Sequence, residues 1–242
     1  MTLLRDNALF AAFDRAASSY DRLTAVNPGY HGHLRRSARR LRLPDGGRGM
    51  RLLDLGCGTG ASTAALLAAA PRAEIVAVDA SAGMLDRAAA KPWPAGVRFV
   101  HAPAEELTAA GVEGPFHAVF AAYLFRNLTD PDAVLAAVHK MLVPDGRLAV
   151  HEYTLRGRPV DRAVWSAVCS AIVEPAGRLV GDRELYHHLR RSVLDFDTAP
   201  VFASRMTTAG FESVRVLPLS GWQTNIVHTL VGRVPCSPAD RR

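Results

Sequence analysis

The stretch that most constrains this chain is Leu52-Leu53-Asp54-Leu55-Gly56-Cys57-Gly58-Thr59-Gly60, an apolar strand ending in a carboxylate that runs through three glycines into a helix. A turn this tight needs positive φ, and a loop lacking Cβ atoms lets a ligand approach the backbone at the start of the helix. Such a unit opens a parallel sheet with crossover helices, and the rest of the chain has that pattern. Period-2 apolar runs predict strands at Met50–Leu55, Glu74–Val78, Val97–His101, His117–Ala121 and Arg147–Tyr153. Helical runs fall between them near Ala61–Ala70, Ala82–Ala90 and Asp132–Leu142, and Pro144-Asp145-Gly146 makes the turn into the fifth strand. A helix at Ala199–Ala209, stopped by Gly210, then leads to strands at Ser213–Leu217 and Thr224–Gly232.

The fold class is therefore α/β: a seven-stranded, mostly parallel, Rossmann-like sheet with helices on both faces. At 242 residues, 49% of them hydrophobic, the chain forms one domain, 1–242, with a full core. Two segments stand outside the sheet: a helical one over 1–42, ending in the Pro44 to Gly49 linker, and an insertion after strand five over 156–198. Open α/β sheets bind ligands at the carboxyl ends of their strands, so both are expected to gather there as lid pieces.

Cys57, Cys169 and Cys236 form neither a CxxC pair nor an even framework, which argues against a disulfide scaffold and against a metal site. The apolar runs are short, and Met1–Phe13 is broken by Arg5 and Asp6, so a cytoplasmic protein without export signal or membrane span is expected. The net charge of +6 is almost wholly arginine, densest at Arg35, Arg36, Arg39, Arg40 and Arg42. No aromatic residue is interleaved there and no reader motif is present, so a nucleic-acid partner is not expected.

Gly56, Gly58 and Ala61 also satisfy the loose dinucleotide spacing, so glycine count alone leaves a nicotinamide cofactor and S-adenosyl-L-methionine both open. Charge favours the second. A carboxylate at Asp54 repels a pyrophosphate, whereas S-adenosylmethionine carries an ammonium and a sulfonium and no phosphate. Asp79, closing the apolar Ile75-Val76-Ala77-Val78 run, sits where a carboxylate accepts ribose hydroxyls with either cofactor.

On these residues the chain resembles the class I S-adenosylmethionine-dependent methyltransferases, and within them the UbiE/Coq5/MenG group that C-methylates prenylated quinol precursors. Phe13-Asp14 through Tyr20-Asp21, then Asn27, Gly29 and His31, is similar to that group's N-terminal segment, and Asp79–Leu85 to its second loop. The most specific match is Phe125-Arg126-Asn127-Leu128-Thr129-Asp130, after strand four. The resemblance continues through Leu142–Arg147, Glu152, Leu185–Val193 and Met206–Ser213. Departures fall at Leu23-Thr24-Ala25, at Leu34, in the final strand, and at Pro103-Ala104, where the group carries an acidic or amide side chain for the adenine amine. Adenine is then left to the Ala104 N–H and to Glu105.

The resemblance implies a cofactor set of Tyr20, Asp54, Gly56, Gly58, Gly60, Asp79, Ala80, Met84, Ala104, Glu105 and Ala121. It implies methyl transfer to a ring carbon of a small aromatic or prenylated quinol-like substrate, with peripheral membrane contact and a homodimer both open. O- or N-methylation of another small molecule is the alternative. Carbon becomes nucleophilic when a neighbouring hydroxyl turns into an oxyanion, and Arg126 and Asn127 are the expected donors to it. His31 and His151 are the histidines considered as direct bases. Tyr153, Tyr186 and Trp222 are expected on the substrate wall.

Overall fold

The computed structural model describes residues 6–25, 29–175 and 183–236. Its elements are α1 (Asp6–Ala25), α2 (Tyr30–Arg39), β1 (Arg51–Leu55), α3 (Ala61–Ala69), β2 (Glu74–Asp79), α4 (Ala82–Ala89), β3 (Val97–His101), β4 (Phe116–Ala122), α5 (Pro131–Met141) and β5 (Leu142–Tyr153). After β5 come α6 (Pro159–Val168), α7 (Arg183–Asp195), α8 (Ala199–Thr208), β6 (Glu212–Pro218) and β7 (Val227–Arg233). Residues 1–5, 26–28 and 176–182 of the two segments outside the sheet lie outside the described residues.

The seven strands form one sheet in the order β3-β2-β1-β4-β5-β7-β6. Strands β1 to β5 run parallel, and β7 enters antiparallel between β5 and β6. The chain winds outward from β1 to β3 and returns to β4 on the other side of β1. The loops after β1 and β4 therefore diverge, leaving a crevice at the carboxyl end of the sheet.

Two boundaries differ from the sequence expectation. Leu142 already pairs with Phe116 and Arg147 with Ala118, so Pro144-Asp145-Gly146 bulges from within β5, with Asp145 left-handed at φ 59. The last strand begins at Val227 because Gly221–Gln223 forms a 3-10 turn, to whose Gly221 carbonyl the Thr224 hydroxyl donates.

Each face of the sheet buries its own apolar layer. Leu53, Val76, Val119 and Leu148 meet Val134, Leu135 and Val138 of α5 and Phe202 and Met206 of α8. On the other face Leu52, Ile75, Phe120 and Ala149 meet Ala65 and Leu66 of α3, and also Leu34 and Ala38 of α2 with the following Leu41. The expected N-terminal lid thus divides: α2 belongs to the core, while α1 packs against α4 and, through Leu9, Ala12 and Ala16, against Leu185 of α7. Among the described residues no helix is long and apolar enough to cross a membrane.

If the end of α2 is core rather than cover, Leu41→Ala, at a fully buried position, should cost about 2–5 kcal/mol. Urea unfolding checks this, and a loss below about 1 kcal/mol would instead mark a surface contact.

Candidate active site

The crevice is a cleft enclosing about 1030 Å³ including its open mouth. Its floor comes from the glycine loop. Gly56 and Cys57 donate their N–H groups to the Val78 carbonyl at 2.8 and 2.9 Å, which ties the end of β1 to that of β2. Gly58, left-handed at φ 54, has open space where a Cβ would project, so a ligand can approach its backbone. Gly60 serves packing instead: a Cβ there would lie 2.7 Å from the Trp93 ring, and Gly60 is not on the cleft wall.

Asp79 lies on the wall, where Oδ2 accepts from the Gly58 N–H at 2.7 Å and Oδ1 from the Ser81 N–H at 2.9 Å. Burial raises its pKa against the pull of these two donors. Each carboxylate oxygen keeps a lone pair, so the group can still accept hydroxyls. Asp54 sits one layer behind the wall. Its Oδ2 accepts from the Ser62 and Thr63 hydroxyls at 2.8 and 2.6 Å, Ser62 itself lining the cleft, and its Oδ1 has no partner among the described residues. An orphaned, fully buried carboxylate oxygen beside the glycine loop suits a ligand that brings an ammonium or N–H group.

Tyr20, Ala80, Met84, Ala104 and Glu105 line the cleft. Ala121 points into the core on the α5 side, and its strand neighbour Ala122 faces the cleft in its place, because successive residues of β4 alternate faces. Helix α1 forms the roof. Phe13 and Tyr20, two turns apart, line the cleft, while the carboxylates that follow them grip the floor loops. Asp14 accepts from the Ser81 hydroxyl at 2.5 Å and the Gly83 N–H at 2.9 Å. Asp21 accepts from the Thr59 hydroxyl at 2.5 Å and pairs with Lys91 at 2.8 Å. Those partners keep the Asp21 pKa low despite partial burial.

Arg126 and Asn127, in the 3-10 turn Phe125–Asn127 after β4, both reach the cleft. The Arg126 guanidinium pairs with the fully buried Glu152 at 2.8 Å, and its Nε has no partner among the described residues. Burial works against its charge, but Glu152 together with Tyr153 and Tyr20 outweighs burial and keeps it cationic. Arg126 Nη1 also donates to the Tyr123 carbonyl at 2.6 Å, and Asn127 Nδ2 to the same oxygen at 3.0 Å. These two donors hold Tyr123 at φ 58, an uncommon left-handed conformation for a bulky residue, and Tyr123 lines the cleft. Asn127 Oδ1 accepts from His188 Nε2 of α7 at 3.1 Å.

The two histidines considered as bases are placed differently. His31 is exposed beside Tyr30 and away from the wall. His151 is completely buried behind Tyr123, its Nε2 2.9 Å from the Tyr123 hydroxyl, and burial pushes its pKa down to about 3. Neither reaches the cleft as placed, because β5 directs His151 beneath the aromatic layer and α2 turns His31 outward. Tyr153 stands behind Tyr123 with ring centroids 4.9 Å apart, and Tyr186 of α7 is also off the wall. The side chain of Trp222 lies outside the described residues.

Sequence reasoning missed Tyr123, Tyr30, Phe10 and Leu9, all of which line the cleft. The apolar spacing of Leu9, Phe10, Phe13 and Tyr20 along one helix was the available signal. Among the described residues no group of three His, Cys, Asp or Glu side chains is placed to hold a metal ion.

A family model described as the ubiE/COQ5 methyltransferase family matches residues 1–229. A demethylmenaquinone methyltransferase of Clavibacter sepedonicus is 33% identical over 209 residues, covering 84% of this chain and 82% of that protein. A ubiquinone/menaquinone biosynthesis C-methyltransferase UbiE of Syntrophotalea carbinolica is 33% identical over 213 residues, covering 86% and 88%. Among solved structures, a SAM-dependent methyltransferase of Thermotoga maritima superposes with TM-score 0.64 at 18% identity, covering 93% of this chain and 99% of that one. Human N-acetylserotonin methyltransferase in complex with SAM gives TM-score 0.60 at 14% identity, covering 93% and 56%. At these identities the structures establish the shared fold.

The buried groups make opposed contributions to stability. Burial raises the Asp54 pKa from 3.8 to about 7, so between those values the folded chain holds a proton the unfolded chain has lost, and stability falls as pH rises. His151 is lowered from 6.5 to about 3, so there the unfolded chain holds the extra proton and stability rises with pH. Asp54→Asn should uncover the rising contribution. Measured by urea unfolding from pH 4 to 6.5, the variant should gain on the wild type with increasing pH, by on the order of a few kcal/mol. Parallel curves would show Asp54 to be ionised across that range.

Proposed function

We propose that this chain, which belongs to the ubiE/COQ5 methyltransferase family, transfers a methyl group to a ring carbon of a quinol-like aromatic in quinone biosynthesis. It is an S-adenosylmethionine-dependent methyltransferase, and its cleft suits that cofactor: Asp79 for the ribose hydroxyls, the open Gly58 backbone, and the orphaned Asp54 oxygen near the glycine loop. When bound, S-adenosylmethionine supplies an electrophilic methyl on a sulfonium. Tyr20, Ala80 and Met84 would hold it from the wall, and Ala104 with Glu105 would meet the adenine.

The observation that carries the carbon-acceptor reading is the Tyr123–Asn127 corner. It brings a cationic guanidinium, an amide and an aromatic ring to the same cleft as Asp79, beneath a roof of Leu9, Phe10 and Phe13. An apolar aromatic acceptor packs under that roof. Its hydroxyl, next to Arg126, ionises more readily, because a fixed cation favours the phenolate whose charge spreads to the ring carbon. The buried Glu152 keeps that cation in place. A prenylated acceptor resides in a bilayer, so we further propose that the protein meets it at a membrane surface. The exposed Val160 and Val164 of α6, one turn apart, share one outward flank of the helix for such contact.

The test is incubation with labelled cofactor and a panel of demethylmenaquinol, demethoxyquinol and simpler naphthoquinols, with the product located by mass spectrometry and NMR. A new ring C–CH3 is expected. A methyl on oxygen or nitrogen would overturn the carbon-acceptor reading and keep the methyltransferase. Asp79→Ala should weaken S-adenosylmethionine binding about 10- to 100-fold in calorimetric titration, the scale of charge-assisted hydrogen bonds to the ribose. Arg126→Ala should lower turnover by about 10²-fold or more. Arg126→Lys should recover part of it, since it keeps the charge and loses the planar fork. Wild-type turnover in Arg126→Ala would remove the guanidinium from the reaction.

A further inference from the structure

Behind the cleft a line of polar side chains crosses the core on hydrogen bonds alone. Arg40 Nη1 donates to Thr229 Oγ1 at 2.7 Å; Thr229 Oγ1 is 2.6 Å from Ser37 Oγ; Ser37 Oγ is 2.9 Å from His151 Nδ1; and His151 Nε2 is 2.9 Å from Tyr123 Oη. Ser37, Thr229 and His151 are completely buried, and Tyr123 lines the cleft. The line begins just after α2, passes to β7, returns to α2 at Ser37, continues through β5 and ends just after β4.

The direction of these bonds follows from counting hydrogens. Arginine only donates, so Thr229 accepts at the first link. A neutral imidazole carries one hydrogen and accepts at its other nitrogen, and burial keeps His151 neutral. The line from Thr229 to Tyr123 then holds four hydrogens for three links, so one is left over. If the bonds run from Tyr123 toward Arg40, the surplus is the Thr229 hydroxyl hydrogen, which is fully buried and has Ser37 Oγ as its one neighbouring acceptor among the described residues. If they run from Arg40 toward Tyr123, every buried hydrogen is used and the surplus is the Tyr123 hydroxyl hydrogen. An unsatisfied buried donor is costly and one at a cleft can be met by a ligand, so the second arrangement prevails.

We propose that Tyr123 is the hydrogen-bond donor that grips the oxygen of the methyl acceptor, and that Arg40, Thr229, Ser37 and His151 are positioning residues that aim its hydroxyl hydrogen away from the core. The proposal rests on the reading of the cleft as the seat of a quinol-like acceptor. Tyr123 is then a donor and no base: burial raises its pKa well above the usual value, and its oxygen already accepts from His151 Nε2. The role goes to a residue whose backbone Arg126 and Asn127 clamp by its carbonyl, so the three groups expected to meet the acceptor oxygen are built as one unit.

The test combines three readouts. Nitrogen-15 NMR of the full chain should show His151 with hydrogen on Nε2 and a bare Nδ1. Tyr123→Phe should lower methylation turnover by about 10²-fold, the scale of a lost oxyanion donor. The same variant should weaken menadione, a quinone whose oxygens only accept, by about tenfold, while titration with S-adenosylhomocysteine stays as in the wild type. Ser37→Ala, which removes the bond to Nδ1, should lose less activity than Tyr123→Phe and give a mixture of His151 tautomers. A wild-type His151 protonated on Nδ1 would reverse the line and overturn the proposal, as would wild-type turnover in Tyr123→Phe. If the wild type methylates no quinol in the panel, the functional reading fails, and the nitrogen assignment alone still decides whether Tyr123 donates toward the cleft.

Discussion

The ion pair between Arg126 and Glu152 is the interaction on which the site depends. Glu152 is wholly buried in β5 and Arg126 nearly so, and a buried carboxylate or guanidinium without its partner costs about 3–5 kcal/mol. Pairing them yields less net stability than an apolar contact of the same size would. What it does secure is a geometry: Arg126, held from below, reaches back to the carbonyl of Tyr123 and fixes that residue in a left-handed conformation. The aromatic layer of Tyr123, Tyr153 and Trp165 is stacked on that choice. The guanidinium is therefore at once a structural pin and a charge at the cleft, and neither role can be altered without the other.

The roof is attached by a second device. The paired aromatic and acidic residues Phe13-Asp14 and Tyr20-Asp21 repeat after two helical turns, so α1 turns both rings and both carboxylates to one side. The rings cover the cleft, and the carboxylates bond to the loops after β1 and β2 that form its floor. A displaced α1 would thus leave donors on those loops unpaired as well as the cleft uncovered.

Much of the architecture was legible because its signals are local. Apolar alternation marked the five parallel strands, and Asp79 follows its strand closely enough to be placed from the run before it. What escaped depends on contacts between distant parts of the chain. Three glycines in one loop look equivalent, yet the Trp93 ring makes Gly60 a packing position while Gly58 stays open. His151 was considered as a base because histidine is the usual direct base near neutral pH, but here Tyr123 stands in front of it. Tyr123 was overlooked because its position is set by backbone strain, which no propensity records. Likewise α2 resembled a lid by its place in the chain, and only its burial against α3 and β5 shows it to be core.

The placement of β7 between β5 and β6 has a consequence for synthesis. It is the last strand in chain order among the described residues, yet it occupies an interior position in the sheet. Until Val227–Arg233 is available, β5 presents an open edge and β6 has no neighbour, and such edges recruit other chains. The same strand carries Thr229, so the polar line across the core is completed only when the last of these seven strands has been made. A growing chain can acquire the glycine loop and the Arg126 corner early and still lack a closed sheet, which puts the greatest risk of misassembly in the interval before β7 emerges.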